Sequence, residues 1–329
     1  MPRCVYVPQE GQVHGCSEQV RVCHLGWRPS WIRPPFCRRT RGAGMQVIVT
    51  WLCAALGLSA LIPGAAAENA CPPNALGVSR TAEIDTTGGP WFGSPRGDKD
   101  FLAPGEVVLT FDDGPTPRYS RTILAALAAH CTKATFFMLG EMAAEHPSLV
   151  KEIATLGHTI GTHTWSHPNL KRLSEEQARA QIESAFTVIE KAAEQPIAPF
   201  FRYPYLSENE SAVAHLQSRN VAQFAIDIDS FDWRTRSPQS VIARVMAGLE
   251  RRGRGIILFH DIHGSTAGAM PQLLGMLKEK GFRIVHLRPK ASIQTLAEYQ
   301  APPAKAATHE ARPRTRWSVR RAAQRVTNR

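Results

Sequence analysis

The sequence predicts an α/β protein built on a parallel sheet. Two observations carry this. Between residues 105 and 288, seven apolar, β-branched or aromatic runs alternate with segments of helical period, a pattern that builds a parallel sheet with helices on its outside. Clusters of polar residues fall where five of those runs end. A parallel α/β sheet, closed into a barrel or left open, carries its chemistry at the carboxyl ends of its strands.

The predicted strands are 107–111, 134–139, 158–161, 199–202, 222–228, 255–259 and 282–285. Thr116 and Pro117 open the first helix, in which Ile123, Leu124 and Leu127 share a face. Leu149, Ile153 and Leu156 form the buried face of the next. Ser174 and Gln177 make a capping-box pattern ahead of Ala178, Ile182, Phe186 and Ile189. Ser237 and Pro238 start a helix that carries Val241, Val245 and Leu249 and ends near Gly253.

The chain has 329 residues and a net charge of +11, and that charge belongs to its ends. Residues 1–44 carry net +5 and residues 301–329 net +7, which leaves about −1 for residues 45–300. A basic pI of this origin is poor ground for a nucleic-acid partner, and none is expected. Residues 289–329 read as a basic, disordered tail poor in large apolar side chains, able at most to make weak contact with an anionic cell surface. Met45 opens a second beginning: an apolar, uncharged run over 46–62, then Pro63, Gly64 and three alanines before Glu68. This is the shape of a signal peptide over 45–67, with 1–44 a leader or mis-assigned start, so export to the periplasm or beyond is expected. Residues 68–104 read as an irregular segment before the domain at 105–288. Five of the seven cysteines lie before residue 68, leaving Cys71 and Cys131, which an oxidising compartment would join as a disulfide.

Asp112 and Asp113 stand side by side where the first strand breaks into a Gly-Pro turn. Adjacent carboxylates repel unless something positive holds at least one of them ionised. His163 and His167 are four apart, which on a helical turn would put both imidazoles on one side. Two histidines and one carboxylate make a three-ligand site with positions left open, as in catalytic zinc. With Asp113 as the ligand, Asp112 is free to act as a base. Arg202 would pair with Asp112 and hold its pKa down, and Asp232 would orient His260 and favour its protonated form, a general acid. Tyr205, Trp233 and Leu258 would wall a small apolar pocket.

Taken in order, T-F-D-D-G-P (110–115), H-T-x-x-H (163–167), R-x-P-Y (202–205), D-x-x-D-W (229–233) and L-x-H (258–260) resemble the five motifs of the polysaccharide deacetylases, the NodB-homology or carbohydrate esterase family 4. The resemblance covers residues 105–288. It implies an irregular (β/α) barrel of seven or eight parallel strands that removes acetyl groups from N-acetylated sugars. The cofactor it implies is a divalent metal, usually Zn²⁺, with Co²⁺ or another ion able to substitute. By motif, Asp112 is the base, Asp113, His163 and His167 bind metal, Arg202 and Asp232 tune base and acid, and His260 is the acid. The Tyr205 backbone N–H helps hold the oxyanion, while Trp233 and Leu258 line the acetyl pocket. The substrate expected is an N-acetylated glycan: peptidoglycan, an exported polysaccharide or a chitin-like chain. An O-acetyl esterase on the same fold and a non-haem Fe(II) oxygenase, which uses the same ligand set, are the alternatives. A silent sugar-binding module would be expected to have lost a ligand, and none is missing.

Overall fold

The computed structural model describes residues 71–72, 75–95 and 100–299. The segments read as leader (1–44) and signal peptide (45–67) and the residues beyond 299 lie outside the described residues. In chain order the strands are β1 (Arg80–Ile84), β2 (Trp91–Phe92), β3 (Glu106–Asp112), β4 (Thr135–Met138), β5 (Thr159–Thr162), β6 (Phe200–Phe201), β7 (Ala222–Phe224), β8 (Ile228–Asp229), β9 (Gly255–His260) and β10 (Arg283–Pro289). The helices are α1 (Pro117–Ala129), α2 (Gly140–Glu145), α3 (Pro147–Thr155), α4 (Glu175–Ala193), α5 (Glu210–Ser218), α6 (Pro238–Arg252) and α7 (Gly264–Glu279). All ten strands belong to one sheet and every pairing is parallel. The order β1-β10-β3-β4-β5-β6-β7-β2 continues past β3 through β9 to β8.

Strand parity fixes what faces where, because successive side chains point to opposite faces. On β3, Val107, Leu109 and Phe111 pack into the layer shared with the helices, while Val108 joins a second, smaller apolar cluster inside the curved sheet. Asp112 shares the parity of Val108, so it emerges on the inner face at the strand's end. The same alternation on β9 sends Ile257 and Phe259 to the helices and Ile256, hence His260, inward. Phe137, Phe200 and Phe224 fill the interior below them. Gly161 on β5 has to be small, since a Cβ there would come within 3.0 Å of both Phe137 and Phe200. On the outer face Phe111 stacks on Phe136 and Phe259, at ring separations of 5.1 and 5.4 Å.

The helix signals work largely as read. Ser174 and Gln177 form the reciprocal capping box, Ser237 accepts from the Ser240 amide, and Gly253 ends α6 in the left-handed region. Thr116 differs: its hydroxyl makes no cap and instead donates to the Asp261 carbonyl at 2.8 Å. Leu156 is not part of the α3 face; it caps the helix and is 39% exposed.

The described residues among 68–104 are less irregular than the sequence suggests. They contribute β1, which pairs with β10, and β2, which pairs with β7, and both partners lie more than 130 residues away, beyond the reach of any local pattern. Cys71 and Cys131 are bonded, with Cα atoms 5.8 Å apart, tying the start of this segment to the end of α1. The strand read over 222–228 is broken into β7 and β8. The Arg202 side chain accounts for the break, because its Nε and Nη2 donate to the carbonyls of Phe224 and Ala225 that would otherwise continue the ladder. Beyond β10, residues 290–299 also pack on the domain: Ile293 is buried, Thr295 donates to Glu190 at 3.0 Å, and Arg219 binds the Gln294 carbonyl.

Candidate active site

Asp112 and His260 are register partners on adjacent strands, so the pleat itself sets two titratable groups beside each other at the inner rim. Asp112 is 2% exposed. Its Oδ1 accepts from Arg202 Nη1 at 2.7 Å, and its Oδ2 lies 3.9 Å from His163 Nε2. Arg202 is wholly buried and fills the opening beside β7, its guanidinium 4.3 Å from the centre of the Phe137 ring. Burial pushes the Asp112 carboxyl up from its ordinary value, and the Arg202 charge and hydrogen bond oppose this without reversing it. The expectation that Arg202 leaves Asp112 with a depressed pKa is thus corrected: at full burial, desolvation outweighs one paired cation.

Asp113 Oδ1 is 3.6 Å from His163 Nε2 and 3.5 Å from His167 Nε2. These three residues form a cluster in which each offers one ligand atom. Asp113 Oδ1 is buried and has no hydrogen-bond partner, which is costly for a carboxylate oxygen unless a cation completes its shell. His163 Nδ1 is 2.6 Å from the Arg202 carbonyl oxygen. A carbonyl only accepts, so Nδ1 carries the proton and the Nε2 lone pair faces Asp113. Burial holds His163 neutral, down to about 3, as a ligand must be. The donor set therefore fits a divalent cation, with oxygen and imidazole ligands of the kind zinc takes.

The two histidines are not on a helical turn. They stand in the loop after β5, where Thr164 and His167 take left-handed φ values of 72° and 58°. The loop is held from outside: the amides of Gly140 and Glu141, at the start of α2, donate to the carbonyls of Thr164 and Trp165, both at 3.0 Å, and the Ser166 amide donates to Gln181 at 3.0 Å. Nine described non-glycine residues have positive φ, and six of them (Asp113, Thr164, His167, Tyr205, Leu206 and Phe231) lie in loops around this pocket. Each such conformation costs on the order of 1–3 kcal/mol and persists where surrounding structure enforces it.

His260 Nδ1 donates to Asp232 Oδ1 at 2.7 Å, while Asp232 Oδ2 accepts from the His260 amide at 2.7 Å and from Thr266 at 2.5 Å. Burial would raise Asp232, but the His260 hydrogen bond and charge, aided by Thr266, bring it below its ordinary value. For His260 burial works downward and is outweighed by the Asp232 hydrogen bond and charge, with Asp112 and Asp113 adding to it, so the imidazole is raised to about 9. The arrangement is a proton held at Nε2 of a fixed imidazole opposite a carboxylate.

A cavity of about 440 Å³ opens over these groups, with Tyr205, Trp233 and Leu258 in its wall as the sequence places them. Tyr205 and Trp233 are 66% and 48% exposed, so they form a rim rather than a core. Asp229, the first residue of the D-x-x-D-W motif, also lines it, as do Leu206 and His263, which the sequence does not single out. Asp261, which stands with His260 in the polar cluster at the end of the sixth predicted strand, has no role by sequence. It is buried, accepts from Ser120 at 2.5 Å, and packs so tightly under the Asp-Asp-Gly-Pro turn that a Cβ at Gly114 would fall 2.1 Å from its Oδ1. Burial pushes its carboxyl up to about 7. A carboxylate directly after the last motif was the signal available.

This fold and site define a class, and comparison with known proteins agrees. The family model for polysaccharide deacetylases matches residues 102–224. A peptidoglycan-N-acetylglucosamine deacetylase of Bacillus cereus is 39% identical over 189 residues, covering 55% of this chain and 66% of the relative. A chitooligosaccharide deacetylase of Rhizobium leguminosarum bv. trifolii is 32% identical over 177 residues, covering 54% of this chain and 78% of the relative. The solved structure of the Bdellovibrio bacteriovorus peptidoglycan deacetylase Bd3279 superposes with a TM-score of 0.59 at 35% identity, covering 69% of this chain and 62% of that one. This chain thus spans just under two thirds of the Bacillus and Bdellovibrio proteins. The chain belongs to the polysaccharide deacetylase family.

Proposed function

We propose that this protein is an exported, metal-dependent hydrolase that removes N-acetyl groups from an N-acetylated glycan, with Asp112 as base and His260 as acid. The observation that carries it is the buried, unpartnered Asp113 Oδ1 between two histidine nitrogens, set beside an Asp–His pair in strand register. Asp113, His163 and His167 would hold the ion, Zn²⁺ by donor type. When bound, a divalent cation there supplies Lewis-acid polarisation of the acetyl carbonyl and lowers the pKa of water.

The chain's own residues do the rest. Asp112, held by Arg202 through Oδ1, keeps Oδ2 available to take the proton of the attacking water. Tyr205, in a left-handed conformation at the cavity wall, would donate its backbone N–H to the developing oxyanion. His260, with Nδ1 committed to Asp232, carries its transferable proton on Nε2 and delivers it to the nitrogen as the amine leaves. Trp233 and Leu258 are apolar surface for the acetyl methyl. Relatives named for peptidoglycan and for chitooligosaccharides support an N-acetylated glycan as substrate.

The test is acetate release by the mature protein from peptidoglycan, chitooligosaccharide and an O-acetylated glycan. Acetate from an N-acetylated chain is the expected result. Release from O-acetyl esters alone would replace this reading with an esterase, and dioxygen consumption with iron bound would replace it with an oxygenase.

A further inference from the structure

Beside the pocket, two arginines are held by aromatic faces rather than by carboxylates. Arg234, in the turn that carries Asp232 and Trp233, lies with its guanidinium carbon 4.3 Å from the centre of the Trp233 ring and 5.7 Å from that of Phe231. Arg244 reaches from α6 to the same Phe231 ring, at 5.1 Å. Phe231 is thus shared by two cations. Both arginines are exposed, and neither makes an ion pair among the described residues. Arg236 and Arg251 flank them, also exposed and without an ion pair among the described residues. Of the acidic groups nearby, Asp227 pairs with Arg252 at 3.0 Å, Asp229 accepts from the Phe231 amide at 2.7 Å without an ion pair among the described residues, and Glu250 is exposed on α6.

A guanidinium stacked on a ring uses its face. Its N–H groups lie in its plane and stay free to grip a carboxylate by two parallel hydrogen bonds. The Arg234 and Arg244 side chains each lie over an aromatic ring and make no hydrogen bond or ion pair among the described residues, so their N–H groups remain available to a ligand. One of the rings involved is Trp233, itself a wall of the active-site cavity, and Phe231 and Arg244 line a neighbouring cavity of about 380 Å³ that shares Asp229 with it.

We propose that Arg234 and Arg244 form a subsite for carboxylates carried by the glycan, so that the preferred substrate is an anionic N-acetylated chain rather than a neutral one. This rests on the deacetylase reading above and sharpens it. A neutral N-acetylglucosamine oligomer offers these edges only hydroxyls, whereas a strand whose sugars carry lactyl carboxylates offers the planar, charged partner that the fork fits.

The experiment compares kcat/KM for acetate release from three substrates: a neutral N-acetylglucosamine oligomer, a soluble strand bearing lactyl carboxylates, and the same strand with those carboxylates amidated. The wild type should prefer the carboxylated strand through KM, and rising salt should erode the preference. In the Arg234→Gln/Arg244→Gln variant the ratio of carboxylated to neutral kcat/KM should fall about tenfold, a size expected of two exposed charge pairs. Measuring the neutral oligomer in each variant divides out any change in folding or in the Trp233 wall. Arg234→Lys keeps the charge without the fork and should restore part of the ratio. An unchanged ratio, or equal affinity for the carboxylated and amidated strands, would overturn the subsite, as would displacement of the strand by an unrelated polyanion at equal charge concentration. Equilibrium binding of the carboxylated strand, followed by tryptophan fluorescence, keeps the two readings apart. Carboxylate-dependent binding without acetate release would sustain the subsite and sink the deacetylase; acetate release without any charge preference would do the reverse.

Discussion

Asp112 and His260 face each other in register across β3 and β9, one a carboxylate gripped by a buried arginine, the other an imidazole gripped by a buried aspartate. Each member of the pair thus has a partner of opposite charge that the other lacks. The base and the acid of a hydrolytic cycle need that division: one group unprotonated and one protonated at the same pH.

Asp112→Asn keeps the shape and the Arg202 contact but cannot take a proton. Acetate release should fall about 10²–10⁴-fold, the usual size of a general-base contribution, while bound metal is retained. Metal analysis of the variant checks this, and metal loss equal to that of Asp113→Ala would make Asp112 a ligand instead.

Asp232→Asn tests the acid. As the proposed acid, His260 would act only while protonated, so the rate should fall as pH rises through its pKa, raised to about 9 by Asp232 and its neighbours. Removing the Asp232 charge lowers that pKa, and the alkaline limb of the profile should move to lower pH while the acid limb stays. An amide should suffer more than an activated aryl acetate, whose leaving group needs no proton. An unmoved alkaline limb would remove His260 from its role.

Arg202→Gln acts on both stability and pH. It leaves the Asp112 charge buried without its partner, and breaking a buried pair from one side costs about 3–5 kcal/mol, readable in urea unfolding at neutral pH. The surviving carboxyl, already above its ordinary value through burial, should rise further. Since the base must be ionised, the acid limb should then move to higher pH.

Gly114→Ala places a methyl group 2.1 Å from Asp261 Oδ1, so the turn carrying Asp112 and Asp113 has to shift and metal affinity should fall. Adding Asp261→Ala opens the space. Affinity should recover in part, a non-additivity expected of residues in direct contact. Additive losses would show that the turn is not braced through this contact.

Much of this was written locally in the chain. The strand runs, the capping box at Ser174 and the motif residues at strand ends follow from periodicity and turn chemistry, and parity alone puts Asp112 and His260 on one face. What escaped depends on distant partners or loop dihedrals. β1 and β2 exist because of β10 and β7. The break at 225–227 coincides with the Arg202 side chain, which follows β6 and binds the Phe224 and Ala225 carbonyls. The His163–His167 loop owes its form to left-handed residues and to amides donated by α2, where the spacing alone suggested a helical turn. Asp261 is buried against Gly114, and nothing in its sequence neighbourhood expresses that contact.

The central claim is that Asp113, His163 and His167 hold one catalytic cation, and titration of zinc into chelated protein tests it most directly. Acetate release from an N-acetylated glycan should vanish on chelation and return in proportion to zinc bound, saturating at about one ion per chain, the count that a single three-ligand site allows. Full activity in the metal-free protein, or zinc bound at these residues without any return of acetate release, would contradict the account.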